Sequence, residues 1–176
     1  MVDKRRVDLD LFTKSGADFD GIYRYDLFRT WDESKPMVLF VMLNPSTADE
    51  YKLDRTVNRC RIFAEAWGCG SFHVVNVFAL ISTDPKALDE AKDPIGPHND
   101  KYIKELAKKA GKVIVAWGSY KLAATRSEKV LKALRKHHKE LYCLGTTKDG
   151  KPRHPLYVAS STQLVVYDGK KAEKSK

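Results

Sequence analysis

Four short segments bring side chains suited to chemistry into an otherwise apolar or turn-rich setting: Asn44-Pro45-Ser46, Asn76, Trp117-Gly118 and Arg153-His154-Pro155. An asparagine amide presents one acceptor and one donor group, enough to orient a water or to read the edge of a base. Asn76 sits among Val74, Val75, Val77 and Phe78. A buried amide there must find partners or cost roughly 1–3 kcal/mol. It either bridges two backbones or reads a ligand. His154 lies between Pro152 and Pro155, whose rings restrict the loop and hold the imidazole at little entropic cost. Asn44-Pro45 can be an ordinary turn. The following residues, 46–50, look like a helix start with Ser46 or Thr47 as N-cap, and its N–H groups would face an anion or a carbonyl. Ser46 is not framed by a G-x-S-x-G elbow, and there is no P-loop and no G-x-G-x-x-G. His73, His98, His137 and His138 lack metal-ligand spacing with a carboxylate or thiolate, so no metal and no cofactor is expected.

These segments need a scaffold, and the hydrophobic pattern describes one. Residues 22–31 partly alternate, as a half-buried strand does. Residues 37–43 are continuously apolar between Pro36 and Asn44-Pro45, the mark of a strand buried on both faces. A helix follows over 54–67, stopped by Gly68 and Gly70. Residues 72–80 form the next strand, and 82–97 a loop with three prolines. Asn99 or Asp100 caps a helix to about Ala110, and a third strand covers 113–117. Residues 120–138 make a basic amphipathic helix, 141–144 begin a fourth strand, and 163–167 are a last apolar stretch. Strands alternating with helices imply an α/β fold: a three-layer sandwich around a mostly parallel four-stranded sheet, with one N-terminal antiparallel strand. One domain is expected over 1–167, with a disordered basic tail over 168–176. In such a sheet ligands bind beyond the carboxyl ends of the strands, which is where all four segments fall.

Composition narrows the class. With 43% apolar and 31% charged residues the chain is globular, and no apolar run nears the roughly 20 residues of a membrane span. No apolar stretch follows the first six residues, so no signal peptide and a cytoplasmic location are expected. Cys60, Cys69 and Cys143 form no paired framework and read as reduced, buried thiols. The net charge of +9 is uneven: residues 112–139 hold eight Lys or Arg against Glu128 alone. Localised positive charge suits a polyanion, so DNA or a nucleotide is the expected partner, with the oligomeric state left open. An acidic protein partner for the basic helix is the third possibility.

The stretches MLNPSTAD, RCRIFAEAWG, VVNVFAL, DPIGPHND, VAWG and DGKPRHPLY resemble, over roughly residues 23–158, a bacterial and phage family known only as a domain of unknown function. More distantly, the order of motifs is similar to the uracil-DNA glycosylase superfamily. There, a short X-Pro loop, a base-reading Asn, a strand ending near Gly and a His-Pro loop follow one another. That resemblance implies an N-glycosidic hydrolase acting on DNA or a modified nucleotide, in DNA repair or base modification. Asn44 and His154 would be catalytic, with Asn44 positioning water and His154 stabilising charge on the leaving base. Asn76, Pro45, Ser46, Tyr51, Trp117 and Gly118 would contact the substrate, Tyr51 being the candidate stacking aromatic. Arg55, Arg59, Arg153, Lys129, Lys132 and Lys136 would hold phosphates. The His-Pro motif here continues Leu156-Tyr157 instead of the usual Ser, and no cysteine set exists for an iron–sulfur cluster. The alternative is a non-catalytic nucleic-acid or nucleotide-binding domain.

Overall fold

The computed structural model describes residues 1–48, 51 and 54–169. Its elements are β1 (Asp3–Leu9), β2 (Phe12–Asp20), β3 (Tyr23–Thr30), β4 (Met37–Met42), α1 (Arg55–Ala66), β5 (Ser71–Asn76), α2 (Lys86–Glu90), α3 (Asn99–Lys109), β6 (Lys112–Val115), α4 (Ala123–Leu134), β7 (Tyr142–Cys143), a 3-10 turn (Pro155–Tyr157) and β8 (Val165–Val166). These strands share one sheet in the order β1-β2-β3-β5-β4-β6-β7-β8.

The apolar β4 is central because both of its faces are covered. Leu39 and Val41 pack with Val75, Val113 and Val115 under Ile103, Leu106, Val130 and Leu134 of α3 and α4. Val38, Phe40 and Met42 pack on the other side with Phe72, Val74 and Ile114 against Val57, Cys60 and Phe63 of α1. Burying a side chain such as Phe63, 1% exposed, contributes about 2–3 kcal/mol. The period of two along each strand thus sorts residues between two helix layers.

The expected sheet needs correction. Parallel pairing joins β5 to β4, β4 to β6 and β6 to β7, whereas β1–β2, β2–β3, β3–β5 and β7–β8 are antiparallel. The sheet is therefore mixed and mostly antiparallel, with eight strands in place of the five expected, and with a three-stranded N-terminal meander in place of one added strand. β1 escapes hydropathy because it is an edge, and its sequence, DKRRVDL, is the charged kind that blunts an open ladder. β2, paired on both sides, escapes because small and polar residues, Ser15, Gly16 and Asp18, hold buried positions.

Other boundaries differ for local reasons. The helix expected from Ser46 or Thr47 does not begin there: residues 46–48 are loop, and Asp49 and Glu50 lie outside the described residues. The helix end that forms is capped by Asp54, whose Oδ1 accepts the Val57 N–H at 2.7 Å. β5 stops at Asn76, where side chains take over from the ladder. Asn99 Nδ2 donates to the Asn76 and Val77 carbonyls at 2.9 and 3.2 Å, and Arg126 Nε donates to Val77 at 3.1 Å. The proline loop contains α2, and α4 is shorter than residues 120–138. Of the expected tail only 168 and 169 are described, in loop conformation. Cys60, Cys69 and Cys143 are free thiols and buried. Among the described residues no helix is long and apolar enough to cross a membrane.

Candidate functional site

Beyond the carboxyl ends of β4, β5 and β6 lies a cavity of about 580 Å³, within the ordinary range for small-molecule sites. Its wall is built from Met42 at the end of β4, from Leu43, Asn44 and Ser46 after it, and from Ser82, Thr83 and Pro85 after β5. Residues 117–120 follow β6, Asp54, Thr56 and Val57 open α1, and Arg153, His154, Leu156 and Tyr157 close it. Arg24 and Thr147 complete the lining with Val74.

The Asn44 amide is held by its nitrogen. Nδ2 donates to the carbonyls of Pro45 at 3.1 Å and Ser82 at 3.0 Å, while Oδ1 has no partner among the described residues. The Pro45 carbonyl also accepts the Ser82 N–H at 2.9 Å, which ties the β4 loop to the β5 loop. A fixed amide that leaves its acceptor unused can orient a donor such as water.

His154 is set just as firmly. The Leu156 N–H donates to its Nδ1 at 3.2 Å as the 3-10 turn begins. Nδ1 is therefore the bare nitrogen, and Nε2 carries the proton of the neutral ring. Burial holds the imidazole below its usual pKa, partly offset by the nearby Asp54 carboxylate. A neutral ring with a committed acceptor can only donate to a ligand. Its loop is anchored at Gly118, whose N–H donates to the Pro152 carbonyl at 2.8 Å while its φ of +76° places it in the left-handed region glycine favours.

Asn76 is 1% exposed, and neither Oδ1 nor Nδ2 has a hydrogen-bond partner among the described residues. It does not itself line the cavity, but its register partner Met42 and its same-face neighbour Val74 both do. Its backbone carbonyl is held from the opposite layer by Asn99.

The remaining expected residues divide. Ser46, Trp117, Gly118 and Arg153 join Asn44 and His154 at the cavity, whereas Pro45 supports it from behind. Tyr51, 67% exposed, is not in the lining; Tyr157, 79% exposed, is, with its ring 5.7 Å from that of His154. Arg59 is used structurally. Its guanidinium donates to the Pro155 carbonyl at 3.2 Å, to the Val158 carbonyl and to Ser160 Oγ, and lies over Phe63. Arg55 is exposed at the start of α1, outside the lining. Lys129, Lys132 and Lys136 flank a separate shallow groove with Lys104 between α3 and α4.

Residues 24–156 match the family model described as "Protein of unknown function (DUF1643)". The chain belongs to this family. A search of curated proteins and a search of solved structures each gave no significant match. The DUF1643 span begins at Arg24 and ends at Leu156, so it takes in every residue of the cavity lining except Tyr157 and leaves β1, β2 and β8 outside.

Within the DUF1643 span the structure adds residues that the sequence pattern alone does not select. Arg24, 4% exposed on β3, donates through Nη1 to the Ala48 carbonyl and so latches the β4 loop. An arginine inside a half-apolar strand is the available signal. Among the described residues Asp54 is the only carboxylate in the lining, and its Oδ2 accepts the Ser46 hydroxyl at 3.3 Å. Its place at the head of an amphipathic helix marks it as a cap, which says nothing of a cavity. Ser82 and Thr83, in the proline loop, carry no signal.

Proposed function

We propose that this chain is a nucleobase- or nucleotide-directed enzyme that hydrolyses an N-glycosidic bond, in DNA or in a modified nucleotide. The observation that carries the proposal is a cavity that presents an unused acceptor on Asn44 and a fixed donor on His154, with the unpartnered amide of Asn76 buried next to its lining residues Met42 and Val74, all among the described residues. A base edge offers the mixed donors and acceptors that the Asn44 oxygen and the His154 N–H would meet. The resemblance of the order of segments to that of the uracil-DNA glycosylase superfamily supports the same reading. In it, Asn44 Oδ1 orients water at the sugar carbon, His154 Nε2–H stabilises charge on the departing base, and Tyr157 at the mouth is the aromatic available for stacking. Arg153 is an exposed cation of the wall, suited to a phosphate.

The test is a panel of oligonucleotides carrying uracil, mismatched thymine or modified bases, together with free nucleosides and nucleotides. Released base is followed by chromatography and abasic sites by strand cleavage. Release of a base by the wild-type chain, abolished by Asn44→Ala with folding intact, is the expected result. A folded protein that releases no base across the panel refutes the enzymatic reading.

The lysine-flanked groove favours a second reading, a non-catalytic binder of nucleic acid or nucleotides. It predicts salt-dependent binding with no base release.

A further inference from the structure

The two oxygens of Asp54 do different work. Oδ1 accepts the Val57 N–H at 2.7 Å, so helix α1 itself fixes where the carboxylate stands. Oδ2 accepts the Ser46 hydroxyl at 3.3 Å, and both residues line the cavity. Asn44 belongs to the same lining, with its nitrogen held and its oxygen unused among the described residues. An amide oxygen can orient a water but cannot take its proton; a carboxylate can do both. Ser46 is not arranged as a nucleophile toward His154, because its hydroxyl points to Asp54 and His154 Nδ1 is occupied by a backbone N–H.

We propose that Asp54 is the general base of this site, acting with Asn44 on one water. The inference rests on the N-glycosidic reading above and names the group that reading leaves without basicity. Asn44 Oδ1 and Asp54 Oδ2 each accept one hydrogen of the water. As the water oxygen bonds to the anomeric carbon, the carbon–nitrogen bond breaks and its electron pair leaves with the base. The water's proton passes to Asp54 Oδ2. The departing anionic base takes a hydrogen bond from His154 Nε2 and is protonated from solvent, and Asp54 returns its proton to solvent. The products are a hemiacetal sugar and the free base. Ser46 is a positioning residue that keeps Oδ2 turned toward the cavity.

The variant Asp54→Asn makes the test clean, since Asn caps a helix about as well as Asp. It keeps an acceptor at the cap and removes the basicity together with the negative charge that acts on His154. With the substrate that the wild-type chain cleaves in the panel above, kcat is expected to fall about 10²–10⁴-fold with KM little changed. The rise of rate with pH on the acid side of the wild-type profile should vanish. Asp54→Ser, which also caps, should show the same loss and covers the case in which the Asn variant folds poorly. A kcat within about threefold of wild type in a folded variant, or an unchanged acid limb, overturns the role of Asp54 while leaving the glycosidic reading intact. No cleavage by the wild-type chain overturns both.

Discussion

Replacing Asn76 with leucine should make this protein more stable and less able to bind. The side chain is 1% exposed and both of its polar atoms lack partners among the described residues, so the folded state carries an uncompensated desolvation penalty. Removing an unsatisfied buried group recovers roughly 1–3 kcal/mol. Leucine has the same branched outline, adds apolar burial beside Val74 and Met42, and suffers some overpacking, for a net gain of about 2 kcal/mol. For a chain of this size that is a rise of about 4–8 °C in Tm. Urea denaturation with an unchanged slope gives the free energy directly. Calorimetry with the ligand found in the panel gives the affinity, which should drop at least tenfold. The companion variant Asn76→Asp should lose several kcal/mol, because it buries a charge with no counter-ion (on the order of 3–5 kcal/mol). A leucine variant that is less stable than wild type by about 1 kcal/mol or more would refute the reasoning. It would mean that in solution the amide has structural partners and is no reader of ligands.

Three further outcomes follow from other parts of the molecule. Burial holds the His154 imidazole below its ordinary 6.5, so the fold favours the neutral ring. The stability this provides is present above the unfolded value and is lost as pH falls toward and through the lowered one. Urea midpoints of the wild type should therefore drop more between about pH 7.5 and 5 than those of His154→Gln; equal drops contradict the assignment. Arg59→Met removes the guanidinium's hydrogen bonds to the segment at 155–160 and should cost about 2 kcal/mol. Limited proteolysis should show earlier cutting near that segment, and an unchanged digestion pattern would argue against the strap. Reversing Lys129, Lys132 and Lys136 to Glu should flatten the salt dependence of any DNA binding, by about 0.9 in the log–log slope for each phosphate no longer neutralised. Anisotropy titrations across salt concentration read this, and a slope like that of wild type removes the groove from the interface.

How far the site is legible in the sequence depends on where apolar pattern and polar residues coincide. Asn44, His154 and Gly118 stand out because each interrupts or ends an apolar run or a proline-bounded loop. The rule that sheet ends gather ligands then places them together. Asp54 is visible only as a cap, since nothing local says that a helix start faces a cavity. Arg59 reads as a free cation, because its partners lie in a segment about a hundred positions away that carries no complementary charge. Tyr51 is nearer in sequence to the Asn-Pro loop than Tyr157, but of the two it is Tyr157 that lines the cavity. The central strands β4, β5 and β6 announce themselves by continuous burial. β1 does not, because an edge strand must look polar to stay unpaired with other molecules, and β2 does not, because its buried positions include Ser15, Gly16 and Asp18.

The strap between Arg59 and residues 155–160 also dictates when the cavity can exist during synthesis. Its donor sits early in the chain, and the carbonyls it holds come 96 and 99 residues later. A nascent chain that has emerged only to about residue 150 already contains β4, α1 and β6 but lacks His154, its neighbours in the wall and the carbonyls that Arg59 holds. On the proposed reading, the site can therefore be complete only once residues 153–160 have been made. Products that terminate before that point, even those that collapse onto the central strands, would lack the His154 side of the cavity.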